Sequence, residues 1–267
     1  MQSLYLKRWD CFIRWCEVPG DGPPVVCLPG LSFAAVPNFL PFVLQPGFRG
    51  RRMLMIDYVG SGLSGHSQSF GYGLDEHAEA VAAILDALEC GAVCVLGHSM
   101  GGSVGIALAL ARPDLVSKLI VCEGNLSPGG GVASRAIAAQ DEAAFVATGF
   151  AARMAAMEQA AREGSAFATF LCGARTGADP RGVHGNARAL VELPADFEAR
   201  FLALPVERHF VYGEETFPKT AGEATADAPD PGRLGRNGVG VHMVPGVGHG
   251  LMIEDPAAAA QVLAPLL

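Results

Sequence analysis

The chain has 267 residues, a formal net charge of −8 and a mean hydropathy of +0.30. Half of it is apolar and only 17% is charged, so the low hydrophobicity and high charge of a disordered chain are absent. The acidic balance disfavours a general nucleic-acid binder, which needs a basic face for phosphates. A chain of this length can bury a core without disulfides or metals, and no stretch approaches the roughly 20 uninterrupted apolar residues of a membrane span. Charges and aromatics alternate over Met1–Asp10, where a signal peptide would show an apolar run, so a cytoplasmic location is expected. The seven cysteines are scattered, mostly in apolar runs such as Val25-Val26-Cys27-Leu28, as reduced cysteine acting as a small hydrophobe is. With no CxxC pair and no HExxH, no metal is expected.

In chain order, strand signals occupy Ser3–Arg8, Cys11–Glu17 and Pro24–Leu28. The run Arg52–Asp57 is continuously apolar after its basic start, as a strand buried on both faces should be. A Gly/Ser-rich loop leads to a helix over Asp75–Glu89, with Val81, Ile84, Leu85 and Leu88 on one face and acids in the first turn. A buried strand at Ala92–Leu96, a helix at Ser103–Arg112 stopped by Pro113, and a strand at Lys118–Cys122 follow. This alternation predicts an α/β fold with a mostly parallel central sheet flanked by helices. From Gly124 to Leu204 no buried strand appears, and helices are expected near Ala139–Gln159, Glu163–Leu171 and Ala187–Leu193. Strand signals return at Arg208–Tyr212 and Val239–Val244, around a polar loop, and a last helix starts near Pro256. The expected organisation is a core of residues 1–123 and 206–267 interrupted by a helical insertion at 124–205.

Gly97-His98-Ser99-Met100-Gly101 matches G-x-S-x-G between a predicted strand and a predicted helix. A serine on such a turn is forced outward, with its hydroxyl at the top of the sheet and the helix N-terminus aimed at the same place. The bland alternative is a small-residue turn without chemistry.

With this context the chain resembles the α/β-hydrolase family over nearly its whole length. Leu28-Pro29-Gly30-Leu31 stands where the family has His-Gly and its oxyanion-hole loop, and Asp57-Tyr58-Val59-Gly60-Ser61-Gly62-Leu63-Ser64 looks like its D-x-x-G-x-G-x-S loop. Val247-Gly248-His249 lies after the last strand, where the family keeps its histidine, and the insertion after the sixth strand sits where the family places its cap. The resemblance implies Ser99 as nucleophile and His249 as the base that a serine needs near neutral pH. The other histidines (His66, His77, His98, His184, His209 and His242) match no landmark for that role.

The acid departs from the pattern. Most members carry it as an Asp in a G-x-x-D turn after the seventh strand, and here Gly213-Glu214-Glu215-Thr216 puts a threonine there. Glu123, closing the apolar strand before the insertion, is the preferred candidate, because some hydrolases of this fold place a glutamate there and its extra methylene suits the longer reach. Glu215 or Glu214 is the alternative. By position, the oxyanion donors would be the backbone N–H groups of Leu31 and Met100. Pro29 in place of the family's histidine removes a residue that would orient that loop.

The resemblance implies acyl transfer without cofactor or metal on a small-molecule substrate. That substrate is expected to be a small or medium apolar ester, thioester or lactone, cleaved through an acyl-enzyme on Ser99. The apolar residues Phe145, Phe150, Met154, Met157, Phe167 and Phe170 are expected mostly to dock the cap, with some lining the cleft. A serine at position 99 argues against dehalogenase and epoxide-hydrolase chemistry, which use Asp as nucleophile in this fold. The rivals are a carbon–carbon bond hydrolase, whose usual arginine near the elbow has no equivalent, and a catalytically silent ligand-binding receptor, which would require a degraded triad. Oligomeric state is not legible in the sequence.

Overall fold

The computed structural model describes residues 1–267. Its eight strands are β1 (Gln2–Leu6), β2 (Cys11–Val18), β3 (Asp21–Leu28), β4 (Arg51–Asp57), β5 (Val93–His98), β6 (Val116–Cys122), β7 (Glu207–Gly213) and β8 (Gly240–Val244). They form one sheet in the order β1-β2-β4-β3-β5-β6-β7-β8. β1, at the edge, and β2 pair antiparallel, as do β2 and β4, and β3 to β8 pair in parallel. The chain steps from β3 outward to β4, then crosses back over β3 to β5. The carboxyl ends of β3 and β5 therefore flank a topological switch point, where a crevice opens between diverging loops.

Side chains alternate across the sheet, and each face has its own core. Val26, Leu28, Leu54, Ile56, Val95 and Val121 pack against α2 (Leu74–Ala87) and α3 (Met100–Ala111). Val25, Cys27, Met53, Met55, Leu96, Ile120 and Cys122 pack on the other face against α1 (Ala35–Val43) and two C-terminal helices. Every residue of α3 from Met100 to Ala109 is buried, as expected of a helix that is apolar all round. The cysteines are all unpaired, and burial pushes the Cys94 thiol up to about 12.

Between β6 and β7 the chain is helical: α4 (Val132–Ala138), α5 (Glu142–Ala144), a π-turn at Phe145–Gly149 running into α6 (Phe150–Arg162), α7 (Ala166–Ala174), α8 (Pro180–Val191) and α9 (Phe197–Leu202). The remaining helices are α10 (Pro231–Arg236), α11 (Leu251–Glu254) and α12 (Pro256–Leu263). No helix is long and apolar enough to cross a membrane.

Local boundaries differ from the sequence pattern where caps decide them. The helix expected over Ala139–Gln159 starts at Glu142 instead, because Asp141 caps that start by accepting from the Ala144 N–H at 3.0 Å. Ser165 restarts the next helix in the same way, three residues later than expected. The helix expected at Ala187–Leu193 begins at Pro180, behind Asp179, whose carboxylate accepts from the Arg181 N–H at 3.0 Å. The first strand stops at Leu6 and turns at Lys7–Asp10 rather than continuing to Arg8. The polar stretch between β7 and β8 contains α10, begun by Asp230 and Pro231.

Candidate active site

Ser99 joins β5 to α3 with φ 53° and ψ −120°, a region that side chains rarely occupy. The surroundings over-determine it: its N–H donates to the Cys122 carbonyl at 2.8 Å, and its carbonyl accepts from Gly102 at 2.9 Å. The flanking glycines are sterically required. A Cβ on Gly97 would stand 2.3 Å from the Gly101 carbonyl oxygen, and one on Gly101 would stand 2.0 Å from the Leu28 oxygen.

His249 lies in the loop between β8 and α11. The Glu254 carboxylate holds that loop on both sides of the ring, accepting from Gly248 at 2.7 Å and Gly250 at 2.9 Å. His249 Nε2 is 3.0 Å from Ser99 Oγ, and Nδ1 is 3.2 Å from Glu123 Oε2. Glu123 itself is 1% exposed and sits at φ 55° directly after β6. Its other oxygen accepts from the Gly213 N–H at 2.8 Å and from the Thr216 hydroxyl. Burial pulls the His249 pKa down, but the hydrogen bond and charge of Glu123 outweigh it, and the ring titrates above its ordinary value.

Glu214 and Glu215, the alternative acids, are exposed. Glu214 accepts from Gly246 at 2.8 Å, and neither hydrogen-bonds to His249. Thr216, at the position where the family keeps its Asp, instead donates to the displaced carboxylate.

On the other side of Ser99, Leu31 follows β3 and lines the same cavity, and Met100 opens α3. Neither backbone N–H donates to an acceptor within the protein. The loop-orienting role left vacant by Pro29 falls to Asn38 on α1, whose Oδ1 accepts from the Gly30 N–H at 3.0 Å. Asn38 Oδ1 is also 3.2 Å from His98 Nδ1, while His98 Nε2 is 2.9 Å from the His249 carbonyl oxygen. Burial, helped by the charge of His249, pushes the His98 pKa down to about 3, so its ring is neutral. The neutral ring has one N–H to give, to the Asn38 oxygen or to the His249 carbonyl, so this buried side chain packs between the loop after β3 and the loop of His249 and hydrogen-bonds to one of them at a time. Asp57 steadies the neighbourhood: its carboxylate accepts from the Ala35 N–H at the start of α1 and from the Leu63 N–H.

These groups face a cavity of about 550 Å³. Leu31, Phe33, Leu171, Leu190 and Ile253 give it apolar walls. Of the six large residues expected in the insertion, only Phe167 lines it, and Phe145 is buried in the main core instead. Two arginines, Arg153 and Arg175, also line it. Sequence pattern signalled none of Asn38, His98, Arg153 or Arg175, because each acquires its neighbours from distant parts of the chain. Thr216 did carry a signal, as the residue in place of the expected acid.

The chain is 37% identical over 105 residues to the sn-1-specific diacylglycerol lipase ABHD11 of Danio rerio, covering 39% of this chain and 32% of that one. It is 34% identical over 104 residues to a 2-hydroxy-6-oxo-2,4-heptadienoate hydrolase of Pseudomonas putida, covering 38% and 37%. The chain thus spans about a third of the length of each of these two relatives. A thermophilic esterase from Thermogutta terrifontis superposes with a TM-score of 0.74 at 20% identity, over 98% of this chain and 96% of that one, a likeness of fold. Residues 25–262 match the alpha/beta hydrolase family, and with the sheet order and the serine elbow already described, the chain belongs to that family.

Proposed function

We propose that the protein is a serine hydrolase that cleaves a carboxylic ester, thioester or lactone of small to medium size through an acyl-enzyme on Ser99. Residues 124–205 act as the cap that shapes the cavity. The observation that carries this reading is the unbroken hydrogen-bond chain from Ser99 through His249 to Glu123. It opens onto the cavity lined by Leu31 and Ser99, and the backbone N–H groups of Leu31 and of Met100, the residue after Ser99, have no acceptor within the protein. Ser99 Oγ attacks the acyl carbon while His249 Nε2 takes its proton, and Glu123 holds the ring and stabilises the imidazolium. The Leu31 and Met100 N–H groups receive the oxyanion. The imidazolium returns its proton to the leaving oxygen or sulfur, which departs with the bonding electrons. Water, activated by the same ring, then releases the acid and restores the serine.

Turnover of p-nitrophenyl esters, with covalent labelling of Ser99 by a fluorophosphonate, tests this. Labelling together with turnover is expected. Labelling without turnover would favour a ligand receptor, and absence of labelling would overturn Ser99 as nucleophile. A dienoate offered in parallel separates carbon–carbon from ester cleavage.

A further inference from the structure

Arg153 lies on α6 and Arg175 directly follows α7, and both line the cavity beside Ser99. Arg175 is only 6% exposed. Its guanidinium carbon sits 5.3 Å from the Phe33 ring centroid, and Nη1 is 3.3 Å from the Met157 sulfur, a weak acceptor. Its Nε is buried without an acceptor, and so is that of Arg153. A buried guanidinium is normally paired with a carboxylate, because taking its charge from water is otherwise costly. Here the charged neighbour acting on Arg175 is Arg153, and burial with that like charge pulls the Arg175 pKa down to about 10.

The cavity's own carboxylates are committed elsewhere. Glu123 holds His249, Asp227 accepts from the Thr225 hydroxyl at 2.8 Å, and Glu223 accepts from the Lys219 N–H at 2.9 Å. Neither guanidinium forms an ion pair with a carboxylate of the chain, which leaves both free for an acceptor from outside it.

We propose that Arg153 and Arg175 form a subsite for a carboxylate carried by the substrate at the end remote from its scissile bond. This rests on the hydrolase reading above and narrows its substrate class to half-esters of dicarboxylic acids and lactones bearing a carboxylate. The planar fork of arginine matches a carboxylate with two parallel hydrogen bonds. Asp227 and Glu223 on the same walls disfavour a doubly charged group such as phosphate. The apolar lining residues Leu31, Phe33, Leu171, Leu190 and Ile253 suit a methylene chain.

The test compares kcat/KM for the monomethyl esters of glutaric, adipic and pimelic acids with methyl esters of chain-matched monocarboxylic acids. Wild type should prefer the half-ester of the best length by about tenfold or more, the range of a hydrogen bond to a charged group. That ratio should fall toward one in Arg175→Met, return in part in Arg175→Lys, and fall also in Arg153→Met, whose side chain is less buried. Fluorophosphonate labelling of Ser99 in each variant shows that the site is intact. Adipate should raise the Tm of wild type and not of Arg175→Met, a readout independent of turnover.

Preference for the neutral ester at every length, or a ratio unchanged in both methionine variants, overturns the subsite while leaving the hydrolase standing. Adipate binding that depends on Arg175, without cleavage of either ester, would leave the subsite and remove the hydrolase. Inorganic phosphate protecting at lower concentration than adipate would overturn the choice of carboxylate.

Discussion

Glu123→Gln isolates the charge of the acid at constant shape. The wild-type carboxylate is gripped from one side: Oε1 accepts from the Gly213 N–H at 2.8 Å and from Thr216, leaving Oε2 for His249 at 3.2 Å. A glutamine that keeps its oxygen toward Gly213 turns its NH₂ onto His249 Nδ1. The ring must then carry its proton on Nε2, where it can no longer accept from Ser99. The flipped amide would restore the correct tautomer but set its NH₂ against the Gly213 N–H. A buried donor left unpaired costs about 1–3 kcal/mol, which holds the flipped form to roughly a sixth of molecules or fewer. The lost stabilisation of the imidazolium adds to this. In triads generally, the corresponding change lowers kcat by ~10⁴, about 5.5 kcal/mol. We expect a loss of ~10³–10⁴ in kcat on p-nitrophenyl butyrate, with a thermal melt showing the variant still folded, and a change of about threefold or less for Glu215→Gln. Retention of activity within about tenfold in Glu123→Gln, or a collapse in Glu215→Gln, would refute the assignment.

Four other outcomes follow from the same geometry. The acidic limb of the kcat/KM profile should have its midpoint above the ordinary histidine value of about 6.5, because Glu123 holds the His249 pKa up and only the neutral ring accepts a proton; a midpoint below that value contradicts the pairing. Thr216→Val removes one of two fixed donors to Glu123 without changing shape, and should cost about tenfold in kcat with little change in KM. Asn38→Ala leaves the Gly30 N–H unpaired, and should destabilise by about 1–3 kcal/mol in denaturant melts while lowering kcat as the loop of Leu31 loosens. Ser99→Gly relieves the positive φ that Ser99→Ala retains, so the glycine variant should be the more stable of the two by about 1 kcal/mol, although both are inactive.

The parts of this molecule legible in its sequence are those where one local rule dominates. Continuous apolar runs mark β4, β5 and β6 because these strands are buried on both faces, and the glycines around Ser99 mark a turn that tolerates nothing larger. Glu123 was legible only in part: its position at the end of an apolar strand made it a candidate. What separates it from Glu215 is a pair of donors from the next strand and turn. The helix α1 left no pattern to read, because it contains Pro37 and Pro41. It forms nonetheless because Ala35, Phe39, Phe42 and Val43 are buried against the sheet and Asp57 accepts its first N–H. Helix starts in the insertion are not legible in the apolar pattern because Asp141, Ser165 and Asp179 reset them, and an alanine-rich stretch hides the gaps between them. The two arginines of the cavity were illegible because their meaning lies in a partner they lack.

The proposed reaction passes through a covalent acyl group on Ser99. Rapid acid quench of the enzyme during turnover of a p-nitrophenyl ester, followed by mass spectrometry of its peptides, tests that claim without reference to any variant. The acyl group is expected on the peptide containing Ser99, disappearing as the substrate is exhausted. Turnover with no acyl group on that peptide, or with the acyl group on another residue, would contradict it.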